Sequence, residues 1–268
     1  MSTRTVIIEG PERLEGVLHE GAGRGGSVIC HPHPLYGGSM WNDVVEAMEE
    51  GFSKAGFSTL RFNFRGVGGS TGRYDDGKGE TEDLVAACRF LKGAVSGEAG
   101  LPARGSMALP VEGVLNQPSH ERSEPEAGLS CRPLLGERIE SLSGEARPAL
   151  PVEGVLNPNL ARLVIAGYSF GAWISSMAAA RVAGVTDLFL VAFPFSSYPA
   201  GEIRSFSGRV LLVGGSFDDI SPIDDLLALH RDLKGEKLLK VLPTSHFFEG
   251  RASEISEFIL ECFREEKG

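Results

Sequence analysis

Cysteine is scarce in this sequence, and the cysteines present are too far apart to form a recognisable motif. The chain of 268 residues has four, Cys30, Cys88, Cys131 and Cys262, with no C-x-x-C spacing. This distribution argues against a zinc knuckle or a disulfide framework and favours reduced thiols. The sequence also lacks an apolar run of about 18 residues, the length that spans a bilayer, and its first residues lack the apolar core of a secretory signal. We therefore expect a cytoplasmic protein without a membrane partner.

Positive charge is also in short supply. The chain has 26 Lys and Arg against 36 Asp and Glu, a formal net charge of -10, and no basic cluster. We therefore expect no nucleic-acid partner. Two glycine-rich stretches lack the context of a nucleotide site, because GAGRGG (21–26) precedes a predicted strand instead of a helix, and GVGGSTG (66–72) has the wrong spacing.

The sequence does contain a regular alternation of short apolar runs and amphipathic segments. TVIIEG and RLEGVLHE, separated by Gly-Pro, predict an antiparallel pair of strands. The later predicted strands are GSVICHPHP, FSTLRFNF, ARLVIAGYS, VTDLFLVAFP, GRVLLVGG and KLLKVLP. Segments with helical periodicity lie between and after these strands, and one of them is a helix capped by Ser221 and opened by Pro222. Strands that alternate with helices predict a mostly parallel sheet with helices on both faces. Ligands of such a sheet lie at the carboxyl ends of its strands.

The segment at about 97–157 interrupts this alternation. SGEA occurs at Ser96 and again at Ser143, and ALPVEGVLN occurs at Ala108 and again at Ala149. The segment is rich in Pro, Gly, Ser and Glu and has no amphipathic period, so we expect an irregular, duplicated insertion. It joins the end of a predicted helix to the start of a strand, at the pole opposite the expected site. We therefore predict a single domain, 1–268, with an insertion that is not an active-site lid.

One motif points to nucleophilic catalysis. GYSFG (167–171) matches G-x-S-x-G, follows an apolar strand and precedes a helix of small residues, which is the context of a nucleophile elbow. The alternative is an ordinary serine that caps the helix. A serine hydroxyl needs a base, and an acid must orient that base. His246 follows the last predicted strand, and Asp218 follows the strand before it, so the chain order Ser169, Asp218, His246 matches this fold.

Other residues compete for these roles. Asp219 is adjacent to Asp218, and the sequence leaves open which of the two is the acid. His230 lies within a predicted helix, while His19 and His120 fall in the first hairpin and in the insertion, so none of the three is given a role.

The stretch CHPHPLYGGS (30–39) raises the possibility of a metal site. Such a site needs further histidines and an aspartate at later strand ends. Only His246 and Asp218 are placed in that way, and Ser169 accounts better for both. We therefore expect neither His31 nor His33 to bind a metal.

Five motifs in the correct order resemble the α/β-hydrolase superfamily, and most of all small bacterial hydrolases related to dienelactone hydrolases and serine aminopeptidase-like enzymes. They are HPHPLYGGSMWNDVV, RFNFRGVGGSTG, GYSFG, GSFDDISP and HFFEG. The resemblance covers almost the whole chain outside the insertion. It implies an α/β-hydrolase fold and a serine hydrolase that cleaves an ester, thioester or amide through an acyl-enzyme, without a cofactor. Asn63 stands where the family usually has an acidic residue of structural importance.

A nucleophilic serine also requires two hydrogen-bond donors for the oxyanion. One is the N–H of Phe170, the residue after the nucleophile. Because Pro32 and Pro34 have no N–H, either His33 or Leu35 supplies the other, and the family resemblance implies the amide of His33.

The sequence leaves little room for a lid. Only about fifteen residues separate FLVAFP from GRVLLVGG, too few for a helical cap. We expect an open site for small acyl substrates, lined by aromatic side chains, namely Tyr36, Trp41, Phe193, Phe195 and Tyr198. The alternative is a non-catalytic α/β-hydrolase scaffold whose insertion binds a partner. The oligomeric state is not indicated by the sequence.

Overall fold

The structure, a computed structural model, describes residues 2–96 and 162–263. The duplicated insertion at 97–157, including His120, lies outside these residues, and so does Cys131. The strands are β1 (Thr3–Glu9), β2 (Arg13–His19), β3 (Gly26–Cys30), β4 (Ser58–Phe62), β5 (Leu163–Tyr168), β6 (Asp187–Val191), β7 (Arg209–Gly215) and β8 (Lys237–Leu242). The helices are α1 (Asp43–Lys54), α2 (Lys78–Ser96), α3 (Phe170–Ala179), α4 (Gly201–Ser205), α5 (Ile223–Asp232) and α6 (Ala252–Phe263).

The strands form one eight-stranded sheet in the order β1-β2-β4-β3-β5-β6-β7-β8. β1 and β2 pair antiparallel, as predicted, and β2 pairs antiparallel with β4. From β4 to β8 every neighbouring pair is parallel. The central strands are continuously apolar because helices cover both of their faces.

Two hydrophobic layers fill the space between the sheet and its helices. On one face, α1 and α6 pack against the sheet through residues such as Met48, Phe52 and Ile259. On the other face, α2, α3 and α5 pack through residues such as Leu91 and Ile174. The predicted α/β architecture is therefore confirmed.

The connection from β6 to β7 contains only the five-residue α4, so no large cap covers the sheet in the described part of the chain. The sequence did not predict α4, because five residues carry no measurable helical period. Within residues 2–96 and 162–263, no helix has both the length and the apolar character to cross a membrane.

Ser221 does not have the predicted capping role. α5 begins at Ile223 with Pro222 at its N-cap, and no side-chain oxygen caps the helix. The backbone N–H of Ser221 instead donates to Asp218 Oδ1 at 2.7 Å. The preceding loop is therefore folded around the Asp218 carboxylate, which places Ser221 one residue too early to cap α5.

Candidate active site

Ser169 lies at a sharp turn between β5 and α3. Its φ and ψ are 54° and -119°, a strained conformation for a residue with a side chain. A Cβ on Gly171 would lie 2.6 Å from the backbone oxygens of both Cys30 and His31. Only glycine allows α3 to lie this close to the end of β3. The G-x-S-x-G spacing thus has the backbone geometry of a nucleophile elbow.

The three predicted polar residues meet at this turn. His246 Nε2 lies 2.9 Å from Ser169 Oγ, and His246 Nδ1 lies 2.8 Å from Asp218 Oδ2. The Asp218 side chain is fully buried. A carboxylate accepts the Nδ1 proton, so Nε2 is left unprotonated and the serine hydroxyl donates to it.

The backbone of the β7–α5 loop decides which aspartate faces His246. Asp218 Oδ1 accepts hydrogen bonds from the N–H groups of Ile220, at 2.9 Å, and Ser221, at 2.7 Å. These two bonds fix the carboxylate with its second oxygen towards His246. The side chain of Asp219 is exposed and lies at the edge of a cavity in front of Ser169.

Tyr168 supports the histidine, and sequence reasoning missed this role. Its hydroxyl donates to the backbone oxygen of His246 at 2.8 Å, and the two rings lie with centroids 5.7 Å apart. The only sequence signal was its position beside Ser169 in the elbow. This bond connects the β8 loop to the strand that carries the nucleophile.

His31 is committed to the backbone. It is fully buried, its Nδ1 lies 2.6 Å from the oxygen of Pro32, and its Nε2 accepts the N–H of Phe64 at 3.1 Å. Burial lowers the pKa of His31 to about 4. The ring therefore fixes the positions of two loops relative to each other.

The same loop leaves one predicted amide donor free. The N–H of Leu35 donates to the Nδ1 of His33 at 3.2 Å. Among the described residues, no acceptor pairs with the N–H of His33 or of Phe170. Both residues line the cavity beside Ser169. Of the two candidates that the prolines left, Leu35 is therefore engaged and His33 is available.

The side chain of His33 begins a chain of polar contacts. Its Nε2 lies 3.3 Å from the hydroxyl of Tyr74, and the side chains of Tyr74 and Tyr198 affect each other's pKa. The ring of Tyr198 stacks on Trp173 at a centroid distance of 4.0 Å. Tyr74 and Trp173 were not predicted, because long-range contacts of this kind have no local signal.

A cavity of about 700 Å³ opens in front of Ser169. This volume is in the range of small-molecule sites. Aromatic side chains line it, among them Tyr36, Tyr198 and Phe247. Tyr36 and Tyr198 therefore lie where the sequence predicted them, whereas Phe247 was not among the predicted residues.

Three other predicted lining residues, Trp41, Phe193 and Phe195, are not among the residues that line this cavity. The guanidinium of Arg61 lies 4.4 Å from the centre of the Trp41 ring. Phe193 is buried in the core, and Phe195 packs on it at 5.0 Å. The Trp41 ring thus pairs with a cation, and the two phenylalanines are held by the apolar layer below the cavity.

Asn63 has a structural role. Its Oδ1 accepts the N–H of Met40 at 2.9 Å, and its Nδ2 donates to Glu15 Oε2, also at 2.9 Å. The neutral amide therefore joins the loop after β3 to the Glu15 carboxylate on strand β2.

Comparison with known proteins gives one short sequence match and extensive structural matches. No family model matches the chain. An uncharacterized protein of Rickettsia prowazekii is 41% identical over 90 residues, which are 32% of this chain. The match spans only 38% of the length of that relative.

Solved structures match almost the whole chain. A serine hydrolase homologue from Coxiella burnetii is 27% identical, with 98% of each chain covered and a TM-score of 0.69. A putative α/β hydrolase from Agrobacterium tumefaciens is 25% identical, with 97% of this chain and 93% of that chain covered and a TM-score of 0.65. A serine hydrolase without a lid from Xanthomonas campestris shares the fold at 21% identity, with a TM-score of 0.68 over 98% of this chain and 94% of that chain.

The sheet order, the elbow and these likenesses define the class of the protein as an α/β-hydrolase fold, with no large cap among residues 2–96 and 162–263. The chain belongs to the α/β-hydrolase superfamily.

Proposed function

We propose that this protein is a serine hydrolase that cleaves small esters, thioesters or amides through an acyl-enzyme on Ser169. The observation that carries the proposal is the continuous hydrogen-bonded series from Ser169 Oγ to His246 and from His246 to Asp218, with distances of 2.9 and 2.8 Å. Its position at the base of an aromatic cavity of about 700 Å³ supports an organic acyl substrate.

In the proposed reaction, Ser169 Oγ attacks the substrate carbonyl while His246 Nε2 accepts the hydroxyl proton. Asp218 stabilises the resulting imidazolium through Nδ1. The N–H groups of Phe170 and His33 stabilise the oxyanion, and loss of one such donor costs about 2.7–4 kcal/mol. His246 then gives the proton to the leaving group, and water attacks the acyl-enzyme with His246 as the base.

A fluorophosphonate probe tests the nucleophile, because it forms a covalent bond only with an activated serine. The wild-type protein should be labelled, and Ser169→Ala should not. Ser205→Ala is a matched control, since Ser205 is exposed on α4 and is not among the residues that line the cavity. Equal labelling of wild type and Ser169→Ala would refute the assignment.

A substrate panel tests the reaction class. Nitrophenyl esters, acyl-CoA thioesters and aminoacyl amides present the same attack to Ser169 with different leaving groups. Turnover that disappears in Ser169→Ala would establish hydrolysis at this site. A folded wild-type protein with neither labelling nor turnover would instead favour the non-catalytic scaffold.

A further inference from the structure

The described residues that line the cavity include a negatively charged side chain but no lysine or arginine. Among its described lining residues none is lysine or arginine, and Asp219 is the carboxylate at its edge. No hydrogen bond or ion pair joins the Asp219 side chain to another described residue. The remaining lining is mainly aromatic and small. A substrate entering this cavity therefore meets one negative charge and no side-chain cation except a protonated histidine.

Carboxylates that lie behind the lining residues add further negative charge near the cavity. Burial is the largest cause of the lowered pKa of His33, and the carboxylate of Asp76 opposes it by favouring the protonated ring. Burial also raises the pKa of Tyr198, and both Asp76 and Glu80 raise it further. Glu80 is buried and accepts backbone N–H groups, whereas Asp76 is exposed on the loop before α2.

The charged groups near Tyr168 have the same sign. Burial raises the pKa of Tyr168, and Asp218 and Glu249 raise it further. Asp219, the residue after Asp218, is exposed. The charged neighbours that act on these lining side chains are thus carboxylates, and Asp219 itself lines the cavity, so a negative potential is expected there.

We propose that this cavity selects uncharged and cationic acyl substrates and discriminates against anionic ones, with Asp76 and Asp219 as specificity-determining residues. Like charges repel across the cavity, while an ammonium group gains from both carboxylates. The faces of aromatic rings such as Tyr36 and Phe247 also attract an ammonium group. Carboxylate-bearing esters and acyl-CoA thioesters, whose leaving group carries phosphates, are therefore poor substrates. This inference rests on the proposed function, since it concerns the substrate of Ser169.

Three 4-nitrophenyl esters of equal acyl length test the proposal. Their acyl chains end in a trimethylammonium group, in its uncharged tert-butyl isostere, or in a carboxylate. We expect kcat/KM to fall in that order, with the cationic ester preferred over the anionic one by about tenfold or more, since each carboxylate contributes a few-fold at the dielectric of a protein surface. High salt should reduce the ratio because it screens exposed charges.

Asp76→Asn and Asp219→Asn should each lower the cationic-to-anionic ratio several-fold, and the double variant should lower it further than either single variant. Asparagine suits position 76, where φ is 48°. Asp224→Asn removes the same charge from an exposed position on α5 outside the cavity lining and should leave the ratio unchanged. A wild-type ratio near one, or a ratio that Asp224→Asn lowers as much as the other variants, would overturn the proposal. Failure of all three esters together with absent fluorophosphonate labelling would instead overturn the proposed function.

Discussion

Replacement of Asp218 by asparagine should abolish most activity while leaving the fold intact. Oδ1 of this carboxylate accepts the N–H groups of Ile220 and Ser221, and only an oxygen can keep both bonds. The amide nitrogen of asparagine must then occupy the place of Oδ2, 2.8 Å from His246 Nδ1. A donor at this place forces Nδ1 to accept, and the imidazole proton moves to Nε2.

The size of the loss follows from the wrong tautomer. With a proton on Nε2, His246 cannot accept the proton of Ser169 Oγ, although the hydrogen-bond distance is unchanged. The same substitution in a Ser-His-Asp protease lowers kcat by about 10⁴-fold, which corresponds to about 5 kcal/mol of transition-state stabilisation. We expect a loss of this size, since the backbone bonds to Asp218 leave no alternative orientation.

The assay is steady-state hydrolysis of an uncharged nitrophenyl ester, with the melting temperature as the check on folding. Asp219→Asn makes the same chemical change one residue along the chain, but it keeps the bond from Asp218 to His246. Its loss should be at least about a hundredfold smaller, because the histidine tautomer is unaffected. The reasoning is refuted if folded Asp218→Asn stays within tenfold of wild type, or if Asp219→Asn loses as much.

Two further predictions concern Gly171 in the elbow and the buried His31. Gly171→Ala should destabilise the protein by about 1–3 kcal/mol and suppress labelling of the nucleophile, because the methyl group of the new alanine would clash with the backbone oxygens of Cys30 and His31. Gly93→Ala, where a methyl group meets nothing within 4 Å, should instead stabilise α2 slightly, and urea unfolding compares the two. Folding lowers the pKa of His31 from an ordinary 6.5 to about 4, so the unfolded chain binds a proton at a higher pH than the folded protein does. The free energy of unfolding should therefore be at its full value above pH 6.5 and decrease by up to about 3 kcal/mol as the pH falls towards 4. Unfolding in urea at several pH values checks this, and an equally steep decrease in His31→Asn would contradict it.

Sequence reasoning predicted the order of the strands and helices well, because each element has its own local period. The strand before Ser169 and the small-residue helix after it needed no knowledge of distant residues. The position of the insertion, between the end of α2 at Ser96 and the start of β5 at Leu163, followed from the same alternation.

The sequence by itself determined which residues could reach the site, since parallel strands bring their carboxyl ends to one edge of the sheet. Only the tertiary structure decided between Asp218 and Asp219, because the choice depends on two backbone N–H groups and on the position of His246. Only the tertiary structure also shows that Trp41 and Phe195 do not line the cavity, since packing partners distant in the chain set the direction of an aromatic side chain. Local periods determine where an element lies, whereas long-range contacts determine where each side chain points.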